Sequence, residues 1–202
     1  MSAAPPEPPE NNLIPLRDPA APPDIAEMAD ACVRFVQAAV GVRLDYSAET
    51  LPLLDHYVAT RRAELTSRPE MIGLVARAAG AYFGEVVRRH LRAFWSAESD
   101  DPSTWELRLE SVYLAFSPLA VAYDAVTHGD EEGPTAQFTL DDEDREAVEA
   151  RLADLPAASD EEFFSFSTRF EVLQIAVDAI KARMMGSGLG EVAFTSQDYD
   201  SN

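Results

Sequence analysis

The feature that most constrains this chain is a long, mostly apolar helical stretch between residues 69 and 95. It reads PEMIGLVARAAGAYFGEVVRRHLRAFW, and its apolar residues cover most of the circumference of a helix. A helix that is apolar on nearly every side predicts a central position in the fold. Gly80 and Gly84 stand four residues apart and would let another backbone approach closely. Its charged residues, Glu85 among them, need partners inside the protein.

Size and composition predict a single cytoplasmic domain. The chain has 202 residues, of which 47% are hydrophobic and 26% are charged, and this is enough for one buried core. It contains no apolar run near the ~18 residues of a membrane span, and its N-terminus lacks the basic and apolar regions of a signal peptide. We therefore expect a cytoplasmic protein that has no membrane partner. Cys32 is the lone cysteine, which excludes an internal disulfide and a cysteine-based zinc site.

Charge is distributed unevenly along the chain. The formal net charge is −20, yet residues 61–95 carry +4 and residues 96–202 carry −18. Such a chain repels nucleic acid and attracts a basic protein over a Debye length of ~8 to 10 Å. An acidic surface that serves only solubility is the plainer alternative. Arginines of the middle helices could also pair with the acidic half.

The two ends of the chain differ in composition from its middle. Residues 1–24 contain eight of the fourteen prolines, which favours an extended, disordered tail. Residues 187–202 are polar and acidic, and they predict a flexible tail. Residues 25–186 are expected to form a single helix-rich domain.

Apolar spacing and capping residues predict the elements of this domain. Helices are expected from Asp24 to Gly41, after Ser47, from Pro69, after Ser117, and from Thr139 or Asp141 to about Leu155. The segment WELRLESVYLAF alternates apolar and polar residues and changes phase near Glu110, which predicts two short strands or one bulged strand. The fold class is therefore α+β, helix-dominated, with a small antiparallel two-stranded element.

The last predicted helix runs from about Asp160 to Gly186 and carries apolar residues at alternating steps of three and four. They are Phe163, Phe166, Phe170, Leu173, Val177, Ile180 and Met184. This heptad seam predicts packing inside the domain, and the alternative is a homodimer through an exposed seam from Phe163 to Met184. The expected core anchors of the second half are Phe163, Phe166 and Phe170.

Three motifs resemble a family of small bacterial proteins of unknown function. They are RLDYSAETLPLLDHYV, GAYFGEVVRRH followed by Trp95, and FSPLAVAYDAVTHGDEE. The resemblance covers roughly residues 42–133 and is most specific in the GAY-x-GEV-x-RR motif. It implies a shared fold, and it implies no activity because that family has none established.

The same motifs carry the candidate catalytic residues. Glu85 and Arg88 lie within one turn of the central helix, whereas Asp55 and His56 lie in the preceding helix. If these helices pair antiparallel, the side chains could place an acid, a base and a cation in one cleft. The alternative is a semi-buried ion pair between Glu85 and the arginines that fixes the register of the helices.

Sequence signatures of cofactor and metal sites are missing. The chain has no Gly-x-Ser-x-Gly elbow, no Walker lysine and no dinucleotide fingerprint, and Lys181 is its lone lysine. His56, His90 and His128 are too widely spaced for a zinc-binding helical pair. We therefore expect neither a cofactor nor a bound metal.

Two functions from different classes remain. The first is a non-enzymatic interaction or regulatory protein that binds a basic protein through its acidic half. Its candidate contact residues are Asp141, Asp142, Glu143 and Asp144. The second is a small enzyme whose site surrounds Glu85. An exposed acidic face would favour the first function, and a concave pocket at Glu85 would favour the second.

Overall fold

The computed structural model describes residues 20–129, 133–134, 136–156 and 158–201. Its helices are α1 (Pro23–Val40), α2 (Leu51–Ser67), α3 (Pro69–Leu91), α4 (Pro118–Thr127), α5 (Asp142–Ala153), α6 (Asp160–Phe163), α7 (Phe166–Gly186) and α8 (Ser196–Asp200). Its strands are β1 (Ala93–Ser96), β2 (Glu106–Leu109) and β3 (Ala115–Phe116). The predicted class, a helix-dominated α+β fold with a small antiparallel sheet, is confirmed. Most of the predicted Pro-rich tail lies outside the described residues.

No helix in these ranges combines the length and the apolar character that crossing a bilayer requires.

Helix α3 is the central element, as its apolar circumference predicts. It packs against α1, α2, α4 and α7, and between Val75 and Arg88 every residue except Arg77 is buried. The helix ends at Leu91 and not at Trp95, because Arg92 adopts a left-handed conformation (φ 55°) and turns the chain into β1. An apolar run suits a buried strand as well as a helix, so its spacing alone did not separate the two.

Gly80 brings the backbone of α4 directly against α3. A Cβ atom at this position would lie 2.8 Å from the carbonyl oxygen of Pro118 and 2.9 Å from Leu119 Cα. Both atoms belong to the first turn of α4, so they cannot move without shifting that helix. The close backbone approach expected from the two glycines of α3 is present here.

Replacing Gly80 by alanine is therefore expected to lower the free energy of unfolding by about 1–3 kcal/mol, in spite of the better helix propensity of alanine. Gly73→Ala is the matched control on the same helix, because nothing lies within 4 Å of a Cβ atom there. That variant is expected to gain about 0.5–1 kcal/mol. Chemical denaturation of both proteins measures the difference, and a stabilised Gly80→Ala variant would contradict the close packing.

Three short antiparallel strands form the sheet, in the order β1-β2-β3. Leu107 of β2 pairs with Trp95 on one side and with Phe116 on the other. The turn between β2 and β3 begins at Glu110, where the apolar phase changes. The sheet has one strand more than the sequence predicts, because β1 forms from residues that were expected to continue the central helix.

The last predicted helix consists of two helices, α6 and α7, separated at Phe164 and Ser165. The Ser165 hydroxyl accepts a hydrogen bond from the Thr168 N–H (3.2 Å) and starts α7 as a local cap. Phe166 and the later seam residues are buried in the same chain, so the seam packs inside the domain; the homodimer alternative required it to be exposed. Phe163 is 49% exposed, and its prediction as a core anchor was wrong.

The C-terminal segment, predicted as a flexible tail, packs on the sheet in the structure. Tyr199 of α8 is 9% exposed, and its ring stacks on Tyr113. Its hydroxyl lies 2.8 Å from the Leu109 carbonyl oxygen and accepts a hydrogen bond from the Leu114 N–H (3.0 Å). The polar composition of this segment gave no sign of a single buried aromatic anchor.

Candidate functional site

Glu85 lies in a buried polar cluster on α3, and its side chain is almost inaccessible (4% exposed). Arg88 donates through Nε to Glu85 Oε1 (2.8 Å) and through Nη2 to Oε2 (3.1 Å). The indole N–H of Trp95 donates to Oε1 (2.9 Å), and the Trp95 ring covers Gly84, where a Cβ atom would clash with it. The carboxylate is enclosed by donors, which is the arrangement of a structural buried ion pair.

The LDYS segment is attached to this cluster through an arginine and a tyrosine. The Arg89 guanidinium lies 3.9 Å from the centroid of the Tyr46 ring and donates to Glu85 Oε2 (3.5 Å). Tyr46 stacks on Tyr82 (4.9 Å between centroids) and donates its hydroxyl to Asp30 (2.7 Å). Burial, and after it the hydrogen bond to Asp30, raises the pKa of Tyr46. Residues of two of the motifs that carry the family resemblance therefore pack against each other and are hydrogen-bonded to α1.

Asp55 does not contact Glu85 in this way; it accepts hydrogen bonds from the N-terminus of α7. Its Oδ1 accepts from the Phe166 N–H (2.6 Å), and its Oδ2 accepts from the N–H (3.2 Å) and the hydroxyl (2.6 Å) of Ser167. Burial raises the pKa of Asp55, and the three hydrogen bonds offset part of that shift. A carboxylate here satisfies N–H groups that have no partner within the helix, and it favours the positive end of the helix dipole. Asp55 is therefore a cap supplied by α2.

A cleft of about 390 Å³ lies beside Asp55, between α2 and the α6–α7 turn; we call it the α2–α7 cleft. From α2 it is lined by Asp55, His56, Val58, Ala59 and Arg62, and from the segment 159–166 by Ser159, Glu161, Glu162, Phe164, Ser165 and Phe166. Ala125 of α4 and the two buried residues Val58 and Phe166 make its base apolar. His56 is exposed at this cleft.

Two carboxylates of the acidic helix α5 form ion pairs with α7. Asp144 is buried (3% exposed) and accepts a hydrogen bond from Arg183 Nε. Arg183 also donates to Glu143 (3.0 Å), although the Glu143 side chain stays 83% exposed. The hydrogen bond to Asp144 raises the pKa of Arg183. Asp144 is therefore a structural residue and is removed from the candidate partner contacts, whereas Asp141, Asp142 and Glu143 face solvent.

The structure brings the four candidate catalytic residues together in pairs and not as one site. Glu85 and Arg88 form the buried ion pair, and Asp55 and His56 line the α2–α7 cleft. Since both oxygens of Glu85 and both of Asp55 accept hydrogen bonds, neither carboxylate is arranged as a free acid or base. Within the described ranges, no three His, Cys, Asp or Glu side chains are grouped so that they could hold a metal ion.

Sequence reasoning missed the partners that define these environments. Trp95 lies ten positions after Glu85, and Ser167 lies 112 positions after Asp55. Helical spacing links residues three or four positions apart, so it gave no signal for either contact. The opposite wall of the cleft was missed because the break before α7 was not predicted.

Comparisons of the chain with protein-family models, with curated proteins and with solved structures found no match. The resemblance of its motifs to the bacterial family therefore stays a prediction.

Proposed function

We propose that this protein is a non-enzymatic, cytoplasmic interaction or regulatory protein that binds a basic protein through α5 and the residues around it. The observation that carries the proposal is the exposed acidic face of α5. Asp142, Glu146 and Glu149 stand at helical steps of four and three, and all three are exposed. Side chains with this spacing lie on one face of a helix.

Two further features support this proposal. Arg183 holds α5 on α7 through Asp144, so the exposed carboxylates are carried by a fixed scaffold. No described residue forms an ion pair with the three acidic side chains of that face. Complementary charge accelerates association with a basic partner and makes it sensitive to salt. The main alternative, an enzyme around Glu85, has less support because that carboxylate is buried and fully engaged.

The test is affinity capture with a charge-neutralised face. In the variant Asp142→Asn/Glu146→Gln/Glu149→Gln, we expect loss of a basic protein that the wild type captures stoichiometrically at low salt and releases at high salt. The control Glu27→Gln/Glu49→Gln/Glu98→Gln removes the same charge from exposed residues elsewhere and is expected to retain that protein. Equal capture by both variants, or capture that is insensitive to salt, would count against the proposal.

A further inference from the structure

The α2–α7 cleft has an excess of negative charge among its lining residues. Asp55, Glu161 and Glu162 supply three carboxylates, and Arg62 supplies one guanidinium. Asp55 is engaged by α7, and Glu162 accepts from the backbone N–H (3.0 Å) and hydroxyl (2.7 Å) of Ser159. Glu161 is exposed, and within the described chain no side chain or backbone group pairs with its carboxylate. The cleft therefore favours a cationic group over an anionic one.

An aromatic ring and an apolar base accompany this charge. Phe164 is half-buried and lines the cleft together with Ala125 and Phe166. A guanidinium group packs well on an aromatic face while its N–H groups reach acceptors at the edge. The same chemistry occurs within this molecule, because the Arg169 guanidinium lies 4.4 Å from the centroid of the Phe163 ring and 5.8 Å from that of Phe164. The His128 ring also lies edge-on to Phe164 (5.0 Å), so an incoming guanidinium would use the part of the Phe164 ring that lines the cleft.

The dimensions of the cleft suit one long side chain. Its volume of about 390 Å³ lies near the lower end of the ~300–1,000 Å³ range of small-molecule pockets. Arginine is enriched among the residues that dominate binding energy at protein interfaces, and such residues sit in pockets that exclude water. We infer that the α2–α7 cleft is an anchor pocket for an arginine side chain of the basic partner, and this inference rests on the proposed function.

Arginine fits this pocket better than lysine does. The exposed Glu161 carboxylate offers acceptors to a planar, five-donor guanidinium, whereas Glu162 Oε2 already accepts from Ser159. An ammonium group has a compact, strongly hydrated charge and would lose more on contact with the apolar base.

The first experiment titrates ¹⁵N-labelled protein with N-acetyl-arginine methylamide and follows the backbone amide signals. Shifts are expected at Ala59, Glu161 and Phe164, which line the pocket. The citrulline analogue has nearly the same shape without the charge, and it should bind about tenfold more weakly because it lacks charge-assisted hydrogen bonds. Equal binding of the two analogues, or no shift at the pocket residues, would overturn the inference.

Three variants test where the arginine analogue binds. Ala59→Trp fills the pocket from an exposed position of α2 and is expected to abolish the shifts, whereas Ala150→Trp places the same ring on exposed α5 and should leave them unchanged. Glu161→Gln removes one carboxylate from an exposed position and should weaken arginine binding several-fold. Full binding by Ala59→Trp would show that the analogue binds elsewhere and would refute the assignment.

The captured basic protein separates the two proposals. If the α5 triple variant loses that protein while Ala59→Trp retains it at full affinity, the proposed function stands and the anchor pocket is refuted. If the arginine analogue binds the pocket but no basic protein depends on the α5 face, the proposed function fails and the pocket remains an arginine site. Loss of the partner in both variants supports both proposals.

Discussion

Glu85→Ala is expected to lower the free energy of unfolding by about 3–5 kcal/mol, because the change removes the buried carboxylate that accepts two hydrogen bonds from the Arg88 guanidinium. Arg88 is 8% exposed and makes two of its hydrogen bonds to Glu85. The indole N–H of Trp95 loses its acceptor in the same variant. Urea denaturation followed by circular dichroism measures the change.

The chain contains a matched control for this substitution. Arg61 and Glu64 on α2 form an ion pair at the same three-residue spacing (2.7 Å), but their side chains are 44% and 40% exposed. Since exposed pairs contribute about 0–1 kcal/mol, Glu64→Ala is expected to change stability by less than about 1 kcal/mol. Similar losses in the two variants would show that burial of the Glu85 cluster is not what makes it stabilising.

Phe166→Ala is the second substitution with a large expected effect, a loss of about 3–5 kcal/mol. Phe166 is fully buried, and its ring lies 5.5 Å from that of Phe83 on α3 and beside the helix start that Asp55 caps. Its removal leaves a cavity between α7 and the central helix, which the surrounding rings can fill only in part. Thermal and chemical denaturation check this result.

Phe163→Ala provides the comparison within the same heptad pattern. Phe163 is 49% exposed, and its ring contacts the Arg169 guanidinium and the Phe164 ring at the surface. We expect a loss of no more than about 1 kcal/mol, since a cation–π contact at an exposed site contributes ~0.5–1 kcal/mol. Equal losses for the two phenylalanines would mean that the seam is continuous across the break before α7.

Much of the fold could be predicted because its signals are local. The apolar circumference of the stretch after Pro69 predicted the central helix, and the change of apolar phase near Glu110 predicted the turn of the sheet. The errors also have a local cause. At Ser165 a capping hydroxyl competes with the heptad spacing, and the cap prevails because Asp55 also binds the first N–H groups of α7.

The candidate site could be predicted only in part, because its geometry depends on contacts that are distant in sequence. The ion pair of Glu85 follows from helical spacing, and its structural alternative was stated from the residues. The role of Asp55 depends on a helix start 111 positions away, and only the folded chain shows that contact. For the same reason, spacing could not place His56 opposite Glu161 in a cleft.

The buried Tyr199 couples the unfolding of the C-terminal segment to that of the β2–β3 turn. The Leu114 N–H donates to the Tyr199 hydroxyl, which lies 85 positions later in the chain, and the Leu109 carbonyl oxygen contacts the same hydroxyl. If α8 lifts away, both groups lose the Tyr199 hydroxyl, and the Leu114 N–H keeps only its hydrogen bond to the Val112 carbonyl oxygen (3.0 Å) within the turn. Detachment of α8 is therefore expected to speed hydrogen exchange at the Leu114 amide, so the protection of this turn depends on a tyrosine 85 positions later in the chain.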